Sequence, residues 1–397
     1  MPGAERGELG PRTLFAATAA ATVFAVVPMQ IAPLLVGALI DGLGLAPRAA
    51  GLLMSLELLA AAATVLVVAP QVARVSRRAL VVWGACLLVA AQLGSALAPG
   101  VASVAVARVL AGVGEGVVGA AVNAVVAGTR DPDRFYARLA ATSVATGALL
   151  LAALPFAIEP FAHRGAYLLL AALVLALLPL AARVPAHGPA GGGAAVRGLP
   201  SQGRALAVGT LVAGILVMYA DGATWSFSER LGKDLGIEAT RLGAVFAASA
   251  LAGLLGSLAA MALGLRAGRA LPLAGSVAAL AALTWAWGQA GSQGVFIAVL
   301  FCKSAVVFFF FPYFLGTAAA LDRQGRWAAA ASASMPLGSG VGPALAGTLA
   351  AAYGFAGIGW VSAGSALLAL ALFLGVLRAL AAGGLEAASV GAGPGAQ

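Results

Sequence analysis

The amino-acid sequence predicts an all-α polytopic membrane protein. Of its 397 residues, 62% are hydrophobic and only 9% are charged, whereas a soluble domain carries about 25% charged residues. The mean hydropathy is +1.01, and apolar runs of about twenty residues, long enough to cross a bilayer as a helix, recur along the whole chain. A water-exposed globule is therefore excluded, and the continuous runs lack the alternation that is typical of a membrane β-barrel.

The apolar runs divide into twelve predicted transmembrane helices. Each is close to or longer than the ~20 residues that cross a ~30 Å hydrocarbon core. The breaks between them contain proline, glycine or charged residues, which end helices or favour water. The predicted spans are Thr13–Ile40, Pro47–Ala69, Ala79–Ala98, Val101–Ala127, Phe135–Ile158, Gly165–Ala182, Ala205–Phe227, Thr240–Leu265, Ala270–Gln289, Gly294–Ala320, Trp327–Ala352 and Gly354–Leu380.

The longest connection divides the spans into two sets of six. It contains a tract of glycine, proline and alanine, a composition that buries too little surface to order itself, so residues 184–203 are predicted to form a flexible cytoplasmic linker. An N-terminal six-helix bundle (1–183) precedes it and a C-terminal six-helix bundle (204–382) follows it. Residues 383–397 are predicted to be a disordered tail.

Positive charge gives the predicted orientation. With the N-terminus inside, sixteen basic residues fall in connections on the cytoplasmic side and five in outer connections, so both termini are expected in the cytoplasm. The same bias explains the net charge of +9, so nucleic acid is not an expected partner. Arginine makes up 21 of the 23 basic residues, which suits a GC-rich bacterial genome and indicates a multi-pass protein of a bacterial plasma (inner) membrane.

Ionisable residues inside the spans are the first candidates for function. On insertion scales, each charge at the bilayer centre costs about 2.5–3.5 kcal/mol, so its presence needs a reason. Polar residues of this kind are Glu57, Arg108, Glu115, Asp221 and Lys303, together with the uncharged Gln30 in the first span.

Helical spacing adds aromatic neighbours to these charges. Arg108 and Glu115 are seven residues apart, so they lie on one face, about 10.5 Å apart along the axis, and are expected to meet partners on other helices or a substrate. Asp221 has an aromatic residue at i+4 and Lys303 has one at i+7, and a charge beside aromatic walls suits a small-molecule site. The predicted substrate and cavity residues are Gln30, Arg108, Glu115, Asp221, Trp225, Lys303 and Phe310.

Charge balance suggests a coupling proton. The spans contain three acids and two bases, so one acid has no base to balance its charge. An unpaired buried carboxylate tends to bind a proton. Glu115, Asp221 and Glu57 are the candidates to carry it, with Glu115 as the first choice. Arg108 or Lys303 is then expected to hold an anionic or polar group of the substrate. The structural alternatives are that Arg108 and Glu115 lock the N-terminal bundle, and that Asp221 and Lys303 pair with each other without touching cargo.

Span four carries a family resemblance. Arg108, Gly112 and Gly114 have the spacing R-x-x-x-G-x-G, which resembles the fourth-helix motif of the major facilitator superfamily. Gly112 and Gly116 are also four residues apart, a spacing that is most often a helix-packing surface.

Two other segments resemble the same family. Gly338, Gly342 and Pro343 in span eleven are similar to the G-x-x-x-G-P element that the family's antiporters carry in helix five, and the two glycines again indicate helix packing. The basic half of the family's loop 2–3 signature is present, and it would form a gating loop. The acidic half is absent, because alanine occupies position 73. The basic residues are Arg74, Arg77 and Arg78.

The resemblance implies two six-helix bundles and a central cavity that opens alternately to each side of the membrane. In that fold, helices one, four, seven and ten line the cavity. Five of the polar candidates fall on the corresponding spans of this sequence: Gln30, Arg108, Glu115, Asp221 and Lys303.

The predicted function is secondary active transport of a small organic solute by alternating access, with a proton gradient and no cofactor. Drug or metabolite efflux by proton antiport is one alternative, and a non-transporting membrane sensor with the same fold is another. No HExxH motif, GxGD motif or intramembrane histidine supports an enzyme, and no Walker motif supports ATP-driven transport.

The two cysteines lie in separate apolar runs and suggest no metal site. We expect a monomer whose partners are the substrate and the lipid bilayer.

Overall fold

The computed structural model describes residues 10–72, 74–187, 204–321 and 326–382. These ranges contain twelve α-helices, one short 3-10 turn and no strand. The helices are α1 (Pro11–Gln30), α2 (Ala32–Leu43), α3 (Pro47–Val68), α4 (Arg77–Leu97), α5 (Val101–Ala127), α6 (Pro132–Ala181), α7 (Arg204–Ser226), α8 (Ser228–Asp234), α9 (Ala239–Leu263), α10 (Ala270–Gly288), α11 (Gln293–Ala320) and α12 (Arg326–Ala382). Most of the predicted linker (184–203), all of the predicted tail (383–397) and position 73 of the predicted gating loop lie outside the described residues.

Ten of the described helices are long and apolar enough to cross a membrane, which makes the chain a multi-span membrane protein. Two of them, α6 and α12, are far longer than a bilayer requires, and one residue with non-helical backbone interrupts each. These residues are Ala162 in α6, with φ 50°, and Gly354 in α12, with φ 65°. Both lie where the sequence predicts a break between spans. The count of twelve spans stays a prediction.

The first predicted span, Thr13–Ile40, is interrupted in the structure. Helix α1 ends at Gln30 and α2 begins at Ala32, while Ile31 between them has φ −95° and ψ 9°. Pro33 explains the break, because proline has no N–H to donate within a helix but fits well in a first turn. The break therefore leaves Gln30 at a helix end.

Side-chain caps fix the start of three helices. Ser76, Asp131 and Ser292 each accept a hydrogen bond from the backbone N–H three residues later, at the N-termini of α4, α6 and α11. A helix start leaves its first N–H groups without partners inside the helix, so these side chains replace the missing bonds.

The chain packs as two compact units. Unit 1 contains Met1–Ala195 and Ser226–Leu251, and unit 2 contains Val196–Trp225 and Ala252–Gln397. The segment Ser226–Leu251 follows the predicted linker in sequence but packs with unit 1. The sequence predicts this segment as part of the C-terminal bundle (204–382), so the two divisions differ there.

The cores of the two units differ in side-chain size. In unit 1 one buried apolar cluster is built mainly of alanine and valine, such as Ala111 and Val118. In unit 2 the corresponding cluster contains stacked phenylalanines, including Phe310 and Phe314. Small residues allow helix backbones to approach closely, so close helix contacts are expected in the cluster of unit 1.

Candidate functional site

A fully buried arginine is at the centre of unit 1. The Arg108 side chain on α5 is 1% exposed. Its Nη1 donates to Glu57 Oε1 on α3 at 2.8 Å, and its Nη2 donates to Gln92 Oε1 at 2.8 Å and Ser95 Oγ at 2.7 Å on α4. The guanidinium carbon also lies 4.3 Å from the centre of the Tyr167 ring. Because these N–H groups bond to residues on α3 and α4, Arg108 connects three helices of unit 1 in this structure.

Glu115 completes this group of buried polar residues. Its side chain lies close to that of Glu57, and the two residues are 2% and 0% exposed. Glu57 Oε2 and Glu115 Oε1 nevertheless accept no hydrogen bond from any residue that the structure describes. Two carboxyl groups and one guanidinium therefore share a site that water does not reach. We call the set Glu57, Gln92, Ser95, Arg108 and Glu115 the Arg108 cluster.

Glycines bring α3 and α5 close enough to form the Arg108 cluster. A Cβ atom on Gly112 would overlap the carbonyl oxygen of Glu57, and one on Gly116 would lie 2.5 Å from the carbonyl oxygen of Ala61. Both glycines are therefore in backbone-to-backbone contact with α3. This approach allows Arg108 to reach Glu57 directly.

The sequence does not single out Gln92, Ser95 and Tyr167, because none of them carries a formal charge. Gln92 and Ser95 are three residues apart in an otherwise apolar span, so they share one face of α4. That polar pair is the signal that would have indicated a buried partner for an intramembrane charge.

Gln30 lies in unit 1 against α6. Its Nε2 donates to Ser143 Oγ at 3.2 Å, and a Cβ on Gly147 would overlap the Gln30 side chain. The residue is placed at the helix break after α1, where it contacts a neighbouring helix of its own unit.

An ion pair lies in unit 2. Lys303 on α11 is 2% exposed and pairs with Oδ1 of Asp221 on α7. It also donates to Thr224 Oγ1 at 3.2 Å and to the Asp221 carbonyl oxygen at 3.3 Å, and its Nζ lies 6.0 Å from the centre of the Trp225 ring. The two residues thus pair with each other, which was one of the two predicted alternatives. We call them the Asp221–Lys303 pair.

Phe310, which the sequence reasoning placed in a substrate cavity, packs in the core of unit 2. It is 1% exposed, and its ring stacks on Phe314 with centroids 5.2 Å apart. The i+7 spacing shows that Phe310 and Lys303 share one face of α11. It does not show which residues pack against that face.

The glycine element of α12 contacts α7 within unit 2. A Cβ on Gly338 would overlap the carbonyl oxygen of Ile215, and one on Gly342 would lie 2.7 Å from the backbone nitrogen of Ala223. Pro343 follows as a buried residue. These positions bring α12 against the helix that carries Asp221.

The predicted gating loop contacts its own unit. Arg78 Nε donates to the Val184 carbonyl oxygen at 3.2 Å, and the backbone N–H of Arg77 donates to the Ala186 carbonyl oxygen at 2.8 Å. Arg74 is exposed. Two of the three basic residues therefore attach the loop to the segment that follows α6, and a role in gating stays a prediction.

A second charged cluster, which the sequence reasoning did not predict, lies outside the spans in unit 1. Arg230 donates to both oxygens of Asp41, at 2.7 and 2.6 Å, and its Nε lies 2.7 Å from Glu229 Oε2. Lys233 contacts the same two acids at 2.7 and 2.8 Å. These four residues form the Asp41 cluster, which joins the end of α2 to α8.

The Asp41 cluster changes the titration of its members. Burial alone would raise the pKa of Asp41, but hydrogen bonds from Arg230 and Lys233 and their positive charges outweigh it, and the pKa falls to about 2. The two acids in turn raise the pKa of Arg230 and of Lys233 against the opposing effect of burial. The cluster contains two acids and two bases, so its formal charges balance.

No group of three or more histidine, cysteine or acidic residues in the described ranges is arranged to hold a metal ion. The buried charges inside the spans are those of the Arg108 cluster and of the Asp221–Lys303 pair. The first is closed and carries unequal numbers of acids and bases. The second is neutral and partly open.

Known proteins share this fold. A sequence profile described as Major Facilitator Superfamily matches residues 13–322. No curated protein sequence matches the chain.

Among solved structures, a D-xylose–proton symporter is 16% identical, with 91% of this chain and 96% of that chain covered and a TM-score of 0.69. A nucleoside transporter is 11% identical, with 92% and 99% covered and a TM-score of 0.75. A POT family transporter in complex with a thioalcohol-conjugated peptide is 13% identical, with 94% and 96% covered and a TM-score of 0.73. At these identities the structural similarity establishes the fold alone.

Proposed function

The chain belongs to the Major Facilitator Superfamily, and from this premise we propose that it is a proton-coupled secondary active transporter of a small organic solute. Family membership and the transporter neighbours indicate a transporter rather than an enzyme. The proposal includes alternating access, twelve spans with α6 and α12 each crossing twice, and a monomer in a bacterial plasma membrane with cytoplasmic termini. No cofactor is needed beyond the proton gradient.

The unequal charge of the Arg108 cluster supports proton coupling. With both carboxyl groups ionised, the cluster carries one uncompensated negative charge in a site without water, which is costly. One proton shared between Glu57 and Glu115 makes the cluster neutral. A proton on one of the two oxygens without a partner, Glu57 Oε2 or Glu115 Oε1, would turn that oxygen into a donor to the other carboxyl group.

This arrangement links protonation to conformation. The protonated cluster is neutral and stable in its closed form. Loss of the proton leaves a buried charge and favours any conformation that admits water to Glu115 or Glu57. A difference in proton affinity between two conformations is what a proton gradient needs in order to drive alternating access. We place the coupling proton on Glu115 and Glu57 and not on Asp221, because Lys303 already balances Asp221.

The test is accumulation of a solute in proteoliposomes under an inward proton gradient, with solutes selected because they raise the unfolding temperature of the purified protein. With one proton per solute, a gradient of one pH unit supports about tenfold accumulation. Glu115→Gln is expected to abolish accumulation while solute exchange without a gradient continues, because glutamine keeps the shape of the side chain but cannot release a proton.

Glu159→Gln, the same change at an exposed position, is the matched control and should accumulate solute as the unchanged protein does. A Glu115→Gln protein that still accumulates solute with an unchanged pH dependence would overturn the coupling site. Solute efflux driven by proton entry would assign the protein to antiport. A sensor with the same fold would give no flux in either direction.

A further inference from the structure

The Asp221–Lys303 pair is exposed on one side only. The Asp221 side chain is 26% exposed, whereas that of Lys303 is 2% exposed. An ionised carboxylate in contact with hydrocarbon is costly, so the exposed part of Asp221 is expected to face water. The group that this site presents to an incoming solute is therefore an acid, with its counter-charge behind it.

Lys303 has no donor left for a substrate. An ammonium group has three N–H donors, and three acceptors surround this one: Asp221 Oδ1, the Asp221 carbonyl oxygen and Thr224 Oγ1. An anionic solute would have to break one of these bonds and approach a carboxylate as well. The geometry thus argues against Lys303 as the residue that holds an anionic group.

An aromatic face lies beside the exposed carboxylate. Trp225 is one helical turn after Asp221 on α7, and both side chains are partly exposed. The Trp225 ring already lies near one cation, the Lys303 ammonium, and the face of an indole ring attracts cations generally. A carboxylate and an indole on one face favour a positively charged group.

We propose that Asp221 and Trp225 bind the protonated amino group of an organic amine, and that Lys303 is a positioning residue that holds the Asp221 carboxylate. This inference rests on the proposed function, since it names the substrate class of that transporter. Bound amine would form a charge-assisted hydrogen bond with Asp221, which is stronger than the bond of a neutral hydroxyl group. An acid of the same size would meet the negative charge of Asp221 instead.

Thermal unfolding of the purified full chain tests the proposal with three matched solutes: 2-phenylethylamine, 2-phenylethanol and phenylacetate. The amine should raise the unfolding temperature in a saturable manner, while the alcohol and the acid should have little effect. Asp221→Asn should weaken amine binding about 10- to 100-fold, because it removes the charge of the acceptor. The control Asp234→Asn makes the same change at an exposed position and should leave amine binding unchanged.

Asp221→Asn leaves the Lys303 ammonium without its counter-charge, so a second variant guards against loss of folding. The double variant Asp221→Asn with Lys303→Gln keeps the site neutral and similar in shape, and it too should lose the response to the amine. Equal binding of amine and alcohol, preference for the acid, no response to the amine, or full amine binding by the double variant would each overturn the proposal. Proton-driven flux that depends on Glu115 would still support the transporter after such a failure. Amine binding without any flux would overturn the transporter and not the binding site.

Discussion

The two units bury charge in different ways. In unit 1 the Arg108 cluster has two acids and one base, all of them closed off from water. In unit 2 the Asp221–Lys303 pair is balanced, and its acid is partly exposed. A closed site with an odd charge can exchange little more than a proton, whereas an open and balanced one can accept a solute. The proposed function accordingly assigns the coupling proton to unit 1 and the solute to unit 2.

The comparison also explains why the two sites differ in their expected sensitivity to mutation. Removal of Arg108 from the closed Arg108 cluster leaves two acids without a cation in a buried site. Removal of one member of a partly open pair leaves a charge that water reaches in part. Loss of Arg108 should therefore affect folding first, whereas substitutions in the Asp221–Lys303 pair should affect binding first.

The largest expected effect is that of Arg108→Ala. The change leaves Glu57 and Glu115 buried together without a cation, and breaking a buried pair in this way costs about 3–5 kcal/mol. We expect a strong fall in the unfolding temperature of the purified protein in detergent, or loss of folded protein during expression. Size-exclusion chromatography of a fluorescent fusion measures the second outcome.

The matched control is Arg48→Ala, which removes an exposed arginine at the start of α3 and should change stability little. An Arg108→Ala protein as stable as this control would show that the cluster is hydrated, and the contrast between the two units would disappear.

A medium effect is expected for Gly112→Ala. The added methyl group would overlap the carbonyl oxygen of Glu57, so α3 and α5 must separate and the Arg108–Glu57 bond must lengthen. Overpacking of this kind costs about 1–3 kcal/mol. The measurement is again the unfolding temperature, together with the loss of proton-driven accumulation.

Gly275→Ala in α10 is the control, because nothing lies within 4 Å of a Cβ at that position. It should be neutral or slightly stabilising, since alanine favours a helix over glycine. If Gly112→Ala behaves like Gly275→Ala, the close approach of α3 and α5 is not needed for the Arg108 cluster.

Much of the fold could be predicted from the sequence because hydrocarbon imposes a simple rule on helix length and composition. The apolar runs that predict α4, α5 and α10 agree with the observed helices to within a few residues. The break at Ile31 was not predicted, although Pro33 was visible, because a proline within an apolar run is compatible with a kinked but continuous helix. The interruption near Ala162 lies in a predicted break, but its position was not predictable, because the positive φ falls on an alanine and not on a glycine.

The candidate site was less predictable than the fold. Sequence spacing shows which residues share a face of one helix, so it related Arg108 to Glu115, but it does not show which helices touch. The Arg108–Glu57 pair depends on the contact at Gly112 between two helices. The Asp41 cluster was not predicted for another reason: charges outside the spans are common because they set orientation, and their positions in the sequence do not show which of them meet. The i,i+4 pair Glu229 and Lys233 on α8 was the available signal.

The smallest expected effect belongs to this Asp41 cluster, which is more exposed than the other two sites: the Asp41 side chain is 44% exposed. Exposed ion pairs contribute about 0.2–1 kcal/mol and are weakened by salt, so Asp41→Asn should lower the unfolding temperature only slightly near pH 7. The pKa of Asp41 is lowered from 3.8 to about 2 in the folded protein. A carboxylate with a lowered pKa stabilises the folded state above pH 3.8, and this stabilisation is lost as the pH falls from there through about 2.

The difference between Asp41→Asn and the unchanged protein should therefore be constant from pH 7 to about 5, shrink below about pH 4, and also shrink at high salt. Unfolding temperatures in detergent across this pH range measure it, with Asp234→Asn on the neighbouring α8 as the control that should show no such difference. A difference that persists at acid pH would mean that the shape of Asp41 matters and its charge does not. The cluster would then be a packing contact between α2 and α8, unlike the two charge-dependent sites inside the membrane.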